Sequence, residues 1–158
     1  MTGELRIGIA GLGTVGGGVV KVLTERGGSL AERAGRPLKL TAASALEVPG
    51  PLAPMLAGVP WYEDAHGLAT APDVDVVVEL IGGAEGVARG VVEAALGAGK
   101  SVVTANKALI ARHGHALAAT AEKAGVALLF EAAVASGVPI LKALREGLVS
   151  NRFKRVYG

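Results

Sequence analysis

Residues 5–23 read LRIGIAGLGTVGGGVVKVL. The short apolar run LRIGIA is stopped by Gly11, and the apolar positions behind it, Val15, Val19, Val22 and Leu23, fall at helical spacing. The stretch therefore reads as a strand, a tight turn and a helix. Gly11, Gly13 and Gly16 stand at the junction in the spacing GxGxxG, the context in which that pattern carries meaning. Gly11 permits the turn, Gly13 lets a backbone approach a pyrophosphate, and Gly16 lets the helix pack close on the strand. The helix N-terminus adds unpaired N–H groups and positive dipole. Gly11, Leu12, Gly13, Thr14, Val15 and Gly16 are thus the candidate phosphate-binding turn, with Thr14 adding a hydroxyl. The rival reading is a glycine-rich turn that serves packing alone. At the first strand of an alternating chain, the pattern favours a nicotinamide or flavin dinucleotide.

The chain does alternate. LKLTAAS (38–44), VDVVVEL (74–80), SVVTA (101–105) and VALLF (126–130) are short and rich in Val, Ile and Leu, as strands covered on both faces should be. Between them Val87, Val91, Ala94, Ala95 and Ala98 form a helical stripe, as do Leu117, Ala118 and Ala121. Val138, Leu141, Leu144 and Leu148 form another, with Pro139 at a first-turn position. Strand and helix in turn mean βαβ units and a parallel sheet. The expected fold is α/β, a Rossmann-type doubly wound, mostly parallel sheet. EVPGPLAPMLAG (47–58) reads as an irregular loop, and Trp61 and Tyr62 as a short strand or its edge. The closing VYG (156–158) reads as a strand cut short, so residues 1–158 are expected to be one domain truncated before another.

Composition narrows the function classes. The chain is 51% hydrophobic with mean hydropathy +0.47, which excludes disorder. Its net charge is only +2, its one basic cluster is NRFKR at 151–155, and aromatics are 3%, too few for base stacking, so nucleic acid is not an expected partner. No apolar run reaches membrane-spanning length, because Glu131, Pro139 and Lys142 break the best candidate. There is no cysteine, which excludes disulfides and thiolate metal sites. A soluble cytoplasmic protein is expected.

Ligands of open α/β sheets sit outside the carboxyl ends of the strands. Glu79, Gly82 and Gly83 leave the third strand there, and Asn106 and Lys107 leave the fourth. Gly82 and Gly83 permit close approach to the nicotinamide half. Glu79 reads equally as a ligand group or as a carboxylate that braces the loop. Lys107 opens a helix, where a cation opposes the dipole, so it reads better as a ligand residue than as a helix residue. The second strand ends on Ser44 where an acid would hold a ribose, with Glu47 three residues beyond and no arginine; NAD and NADP both stay open. His113 and His115, spaced i, i+2, do not share a helix face for a metal and read as surface residues.

GIAGLGTVGGGVVKVL, DVDVVVELIGG, AGKSVVTANKALIARHG, FEAAVASGVPILKALREGLVSNRF and the closing VYG together resemble the nucleotide-binding half of homoserine dehydrogenase. TANKALIA and EAAVASGVP carry the likeness more specifically than the glycines do. The resemblance implies reversible hydride transfer between NAD(P)H and L-aspartate 4-semialdehyde, giving L-homoserine for threonine and methionine biosynthesis, by a homo-oligomer. It implies a proton-transfer or electrostatic role for Lys107. It further implies a monovalent cation, usually sodium, held mainly by main-chain carbonyls of Glu131, Val134, Ser136 and Val138. Ser136 departs from the family's glycine or alanine, and it holds the turn only at a negative or modest φ. The substrate domain of that family is absent, so this chain alone is expected to bind dinucleotide weakly and turn over little. The alternatives are another small-substrate dehydrogenase, and a dinucleotide sensor without enzymatic activity.

Overall fold

In the computed structural model, residues 3–48, 50–155 and 157 are described. Five strands, β1 (Leu5–Ala10), β2 (Leu38–Ser44), β3 (Val76–Glu79), β4 (Ser101–Thr104) and β5 (Leu128–Leu129), form one sheet in the order β2-β1-β3-β4-β5. Every neighbouring pair is parallel. The strands match the apolar runs expected for them, trimmed where Asp75 and Ala105 fall outside the ladder. The expected doubly wound α/β architecture is the one observed.

Helices α1 (Thr14–Ala34), α2 (Ala65–Thr70), α3 (Val87–Gly97) and α4 (Lys107–Ala124) connect the strands. Alternation along the strands sorts them into two layers. Ala10, Val77 and Val102 point into a core shared with Leu68 of α2, Val91, Val92 and Leu96 of α3, and Leu109 and Leu117 of α4. Ile7, Ile9 and Ala43 face the other way, onto Val20 of α1 and Leu56. The 47–58 segment is not wholly irregular: Gly50–Leu52 form a 3-10 turn, and Leu52 and Met55 lie on the second core. The chain then returns to the sheet edge, where Trp61 bridges Ala43 in parallel, as expected of a strand edge.

Two regions depart from expectation. The stripe from Val138 to Leu148 supports only a three-residue α turn, α5 (Ile140–Lys142), followed by a π turn over Ala143–Gly147. Its apolar face has too little to pack on: Val138, Ile140 and Leu148 are exposed, and short helices are stabilised chiefly by packing. Pro139 stands as the residue ahead of that turn rather than inside it. Of VYG, Val156 and Gly158 lie outside the described residues, and Tyr157 is exposed without strand pairing.

At the amino ends of the strands, Arg6 ties β1 to β3. Asp75 accepts from Arg6 N at 2.9 Å, Nε at 3.0 Å and Nη2 at 2.5 Å. The side-chain bond from Arg6 is the main cause holding the Asp75 carboxyl below its usual value of 3.8. Beside it the buried Lys100 ammonium donates to the carbonyls of Ala71 and Val74, closing the turn that enters β3. Because Asp75 is more acidic folded than unfolded, its stabilisation is present above pH 3.8 and is lost as pH falls through the folded value. Asp75→Asn should therefore lower stability at pH 7 by roughly 1 kcal/mol, discounted for partial exposure. The gap from wild type should close in urea titrations run progressively below pH 3.8.

Candidate dinucleotide-binding crevice

In the order β2-β1-β3-β4-β5 the direction of strand succession switches between β1 and β3, the place at which open α/β sheets carry a crevice beyond the strands' carboxyl ends. The turns leaving those two strands form its walls. Gly11 N donates to Ser44 O at 2.8 Å and Leu80 N to Ala10 O at 2.7 Å, so the turn after β1 is held from both sides. Gly11 sits at φ 100, and a Cβ there would meet Leu80 O at 2.5 Å. A Cβ on Gly16 would lie 1.9 Å from Gly11 O, so the first turn of α1 packs directly on the glycine loop. Both positions exclude any side chain.

Gly13 occupies the cap of α1, without a side-chain cap and with no acidic residue in the first turn. Gly13, Thr14 and Val15 are exposed along that end. The first-turn N–H groups and the positive dipole therefore face the crevice without a side-chain acceptor of the helix's own. Leu12, grouped with these residues in the sequence, is buried among Ile9 and Val20. Its side chain secures the turn from below and leaves only main chain for a ligand.

On the opposite wall, Gly82 (φ 88) and Gly83 (φ 81) turn the chain away from β3 and are exposed. Glu79 is 0% exposed and lies beneath them. Its Oε1 accepts from Ile81 N at 2.8 Å, Gly82 N at 3.2 Å and Asn106 Nδ2 at 3.5 Å, while Oε2 accepts from Thr104 Oγ1 at 2.6 Å. The carboxylate thus faces the loop and not the crevice: of the two readings open in the sequence, the geometry matches bracing. Thr104, which the sequence did not single out, also accepts from Asn106 N at 3.0 Å. Its only signal was a hydroxyl in an otherwise apolar strand.

Asn106 is similarly enclosed. Its Oδ1 caps α4 by accepting from Leu109 N at 3.1 Å, and its Nδ2 donates to Gly83 O at 2.6 Å. It joins the β3 loop to α4, and its side chain is engaged within the protein. Lys107 follows as the first residue of α4, exposed at the rim and free of ion pairs among the described residues. His115 is exposed, as expected, but His113 is partly covered: its Nε2 lies 2.7 Å from Glu85 Oε1. His113 and then Arg89 hold the Glu85 carboxyl below its usual value.

The description "Homoserine dehydrogenase, NAD binding domain" matches residues 11–131. The chain belongs to the homoserine dehydrogenase family. It is 47% identical over 154 residues to the homoserine dehydrogenase of Pseudomonas aeruginosa, covering 98% of this chain and 35% of that protein. The chain thus spans about a third of the length of the curated relatives it matches. The crystal structure of a homoserine dehydrogenase from Thiobacillus denitrificans superposes with a TM-score of 0.85 at 43% identity, over 96% of this chain and 35% of that one. A hyperthermophilic archaeal homoserine dehydrogenase in complex with NADPH shares the fold, with a TM-score of 0.75 at 24% identity, over 93% of this chain and 50% of that one. The chain is accordingly an NAD-binding domain of the homoserine dehydrogenase family, and the glycine and amide geometry behind β1 is compatible with a diphosphate.

The residues that homoserine dehydrogenase likeness assigns to a cation lie in one irregular loop after β5. Glu131 and Ala135–Gly137 belong to successive 3-10 turns, with Val134 extended between them and Val138 extended after them. Two of the four main-chain carbonyls are engaged: Glu131 O accepts from Val134 N at 3.1 Å and Val138 O from Ile140 N at 2.7 Å. The Glu131 carboxylate accepts from Leu141 N at 3.0 Å and Lys142 N at 3.2 Å, and so caps α5. Ser136, expected at a negative or modest φ, adopts φ 38 beside Ala135 at φ 51. Both are left-handed, so the turn that glycine would adopt freely is strained here. Neither Ser136 nor Pro139 caps α5 through a side chain.

Glu79→Ala would leave its buried donors without their acceptor. A loss of roughly 2–4 kcal/mol is expected in urea denaturation, against about half that for Glu79→Gln, which keeps one acceptor oxygen. Gly16→Ala should abolish dinucleotide binding, because the Cβ and Gly11 O cannot both stay in place. Isothermal titration with NADH and NADPH checks it.

Proposed function

We propose that this chain is the coenzyme-binding part of a homoserine dehydrogenase that interconverts L-aspartate 4-semialdehyde and L-homoserine. The observation that supports the reading is the shared rim: the uncapped end of α1 behind Gly11–Gly16, the Gly82–Gly83 loop and the start of α4 at Lys107 all follow the carboxyl ends of neighbouring strands. The α1 amides bind a diphosphate, and the Gly82–Gly83 backbone, bare of side chains, lines the nicotinamide half. Bound NAD(P)H supplies the hydride. With coenzyme and aldehyde bound, the Lys107 ammonium would stabilise the negative charge that develops on the carbonyl oxygen and supply the proton it takes up. In the reverse direction the neutral Lys107 amine would take the proton from the homoserine hydroxyl, the hydride going to the oxidised coenzyme. The sodium-class cation belongs to the same reading, assigned to main-chain oxygens of the Glu131–Val138 loop, whose fit is partial because two carbonyls already accept N–H groups.

Lys107 is exposed, so its replacement should leave folding nearly unchanged, within about 0.5 kcal/mol. In the complete dehydrogenase, Lys107→Ala should lower kcat for homoserine oxidation by about 10²–10⁴-fold. Steady-state kinetics beside a thermal melt check it. Normal turnover by a variant with a lowered melting temperature would remove Lys107 from the chemistry.

A further inference from the structure

We infer that the crevice selects NADH over NADPH and that Glu47 is the residue that decides. This rests on the coenzyme-binding reading above and concerns the adenosine end of the same site. The hydrogen bond from Gly11 N to Ser44 O pins the last residue of β2 beside the glycine turn, so whatever follows Ser44 borders the ribose nearest that turn. The Ser44 side chain is itself buried and turned away from solvent. The chain surfaces immediately afterwards: Leu46 is fully exposed, and Glu47 and Val48 are exposed beside it.

Charge then determines what this edge accepts. Glu47 is the only charged side chain between residues 40 and 62, the whole excursion from β2 to the Trp61 bridge. Lys39 is paired with Glu4 at 3.2 Å at the opposite end of β2, roughly 16 Å back at strand rise. Lys21 lies two turns into α1 and faces Glu25. A 2′-phosphate bound beyond Ser44 would face the one carboxylate of this segment, and the segment offers no arginine or lysine to neutralise it. A ribose 2′-hydroxyl instead finds an acceptor for its proton. The exposed Leu46 adds an apolar surface on which an adenine ring can lie. The edge therefore works by repulsion of the wrong coenzyme as much as by attraction of the right one.

The test is fluorescence titration of the chain with NADH and NADPH, repeated by calorimetry with ADP-ribose and 2′-phospho-ADP-ribose, which confine the comparison to this end. NADH should bind tighter by about tenfold or more, the ADP-ribose pair should show the same order, and Glu47→Arg should shift each ratio toward the phosphorylated ligand by about tenfold, with circular dichroism unchanged. Wild-type chain that binds NADPH as well as NADH overturns the inference, as does a ratio that Glu47→Arg leaves in place. Binding of neither coenzyme overturns the NAD(P)-site reading itself and takes this inference with it.

Discussion

A carboxylate with no exposure to water sits where two strands end, and the geometry of the crevice depends on it. Glu79 has no cation partner among the described residues, yet its oxygens accept from two backbone amides, a hydroxyl and a side-chain amide. Such a group is tolerable only when its hydrogen bonds are made, since a buried charge without them costs far more than the interactions around it return. The requirement acts in both directions. The carboxylate needs Ile81 and Gly82 to present their N–H groups inward, which forces the left-handed turn at Gly82 and Gly83. The loop in turn needs an acceptor beneath it that water cannot supply.

The same carboxylate reaches α4. Thr104 bonds Glu79 and Asn106, and Asn106 caps α4 while holding Gly83. Negative charge and a side-chain acceptor beneath that helix end offset the repulsion between its dipole and the ammonium of Lys107. The two helix ends at the rim are thus finished differently. The end of α4 is satisfied by the protein, and a cation stands on it. The end of α1 lacks a side-chain cap and an acid, which leaves it for a ligand's anion.

The sheet was legible because doubly covered parallel strands are continuous apolar runs, and because glycine turns punctuate them. The glycine turn after β1 was legible for a steric reason: nothing but glycine fits at Gly11 or Gly16, so the spacing is visible in one chain. What lay beyond reach was the direction of polar side chains. Glu79 and Asn106 do stand at the carboxyl ends of β3 and β4, but whether a carboxylate faces a ligand or its own loop depends on donors contributed by Thr104, Ile81 and Gly82. Two of these donors are backbone N–H groups, whose direction no residue type marks, and Thr104 was not singled out. The Val138–Leu148 stripe failed differently: its periodicity is real, but a helix forms against a partner surface, and here the apolar residues find little to cover.

Lys107 differs in kind from the residues that hold the rim in place. Glu79, Thr104, Asn106 and Leu12 are all buried and all satisfied within the protein. Satisfaction of that kind fixes position and leaves little capacity for a ligand. Lys107 is the reverse: it lies on a rigid helix start, its backbone position set by Asn106, with its charged group in solvent and without an ion pair among the described residues. A cation fixed at its backbone and without an ion pair among the described residues has no internal partner to give up before it meets an anion at this rim. The residue that looked misplaced against the helix dipole is therefore supported from beneath, by the Asn106 cap and by Thr104, which accepts from Asn106 N.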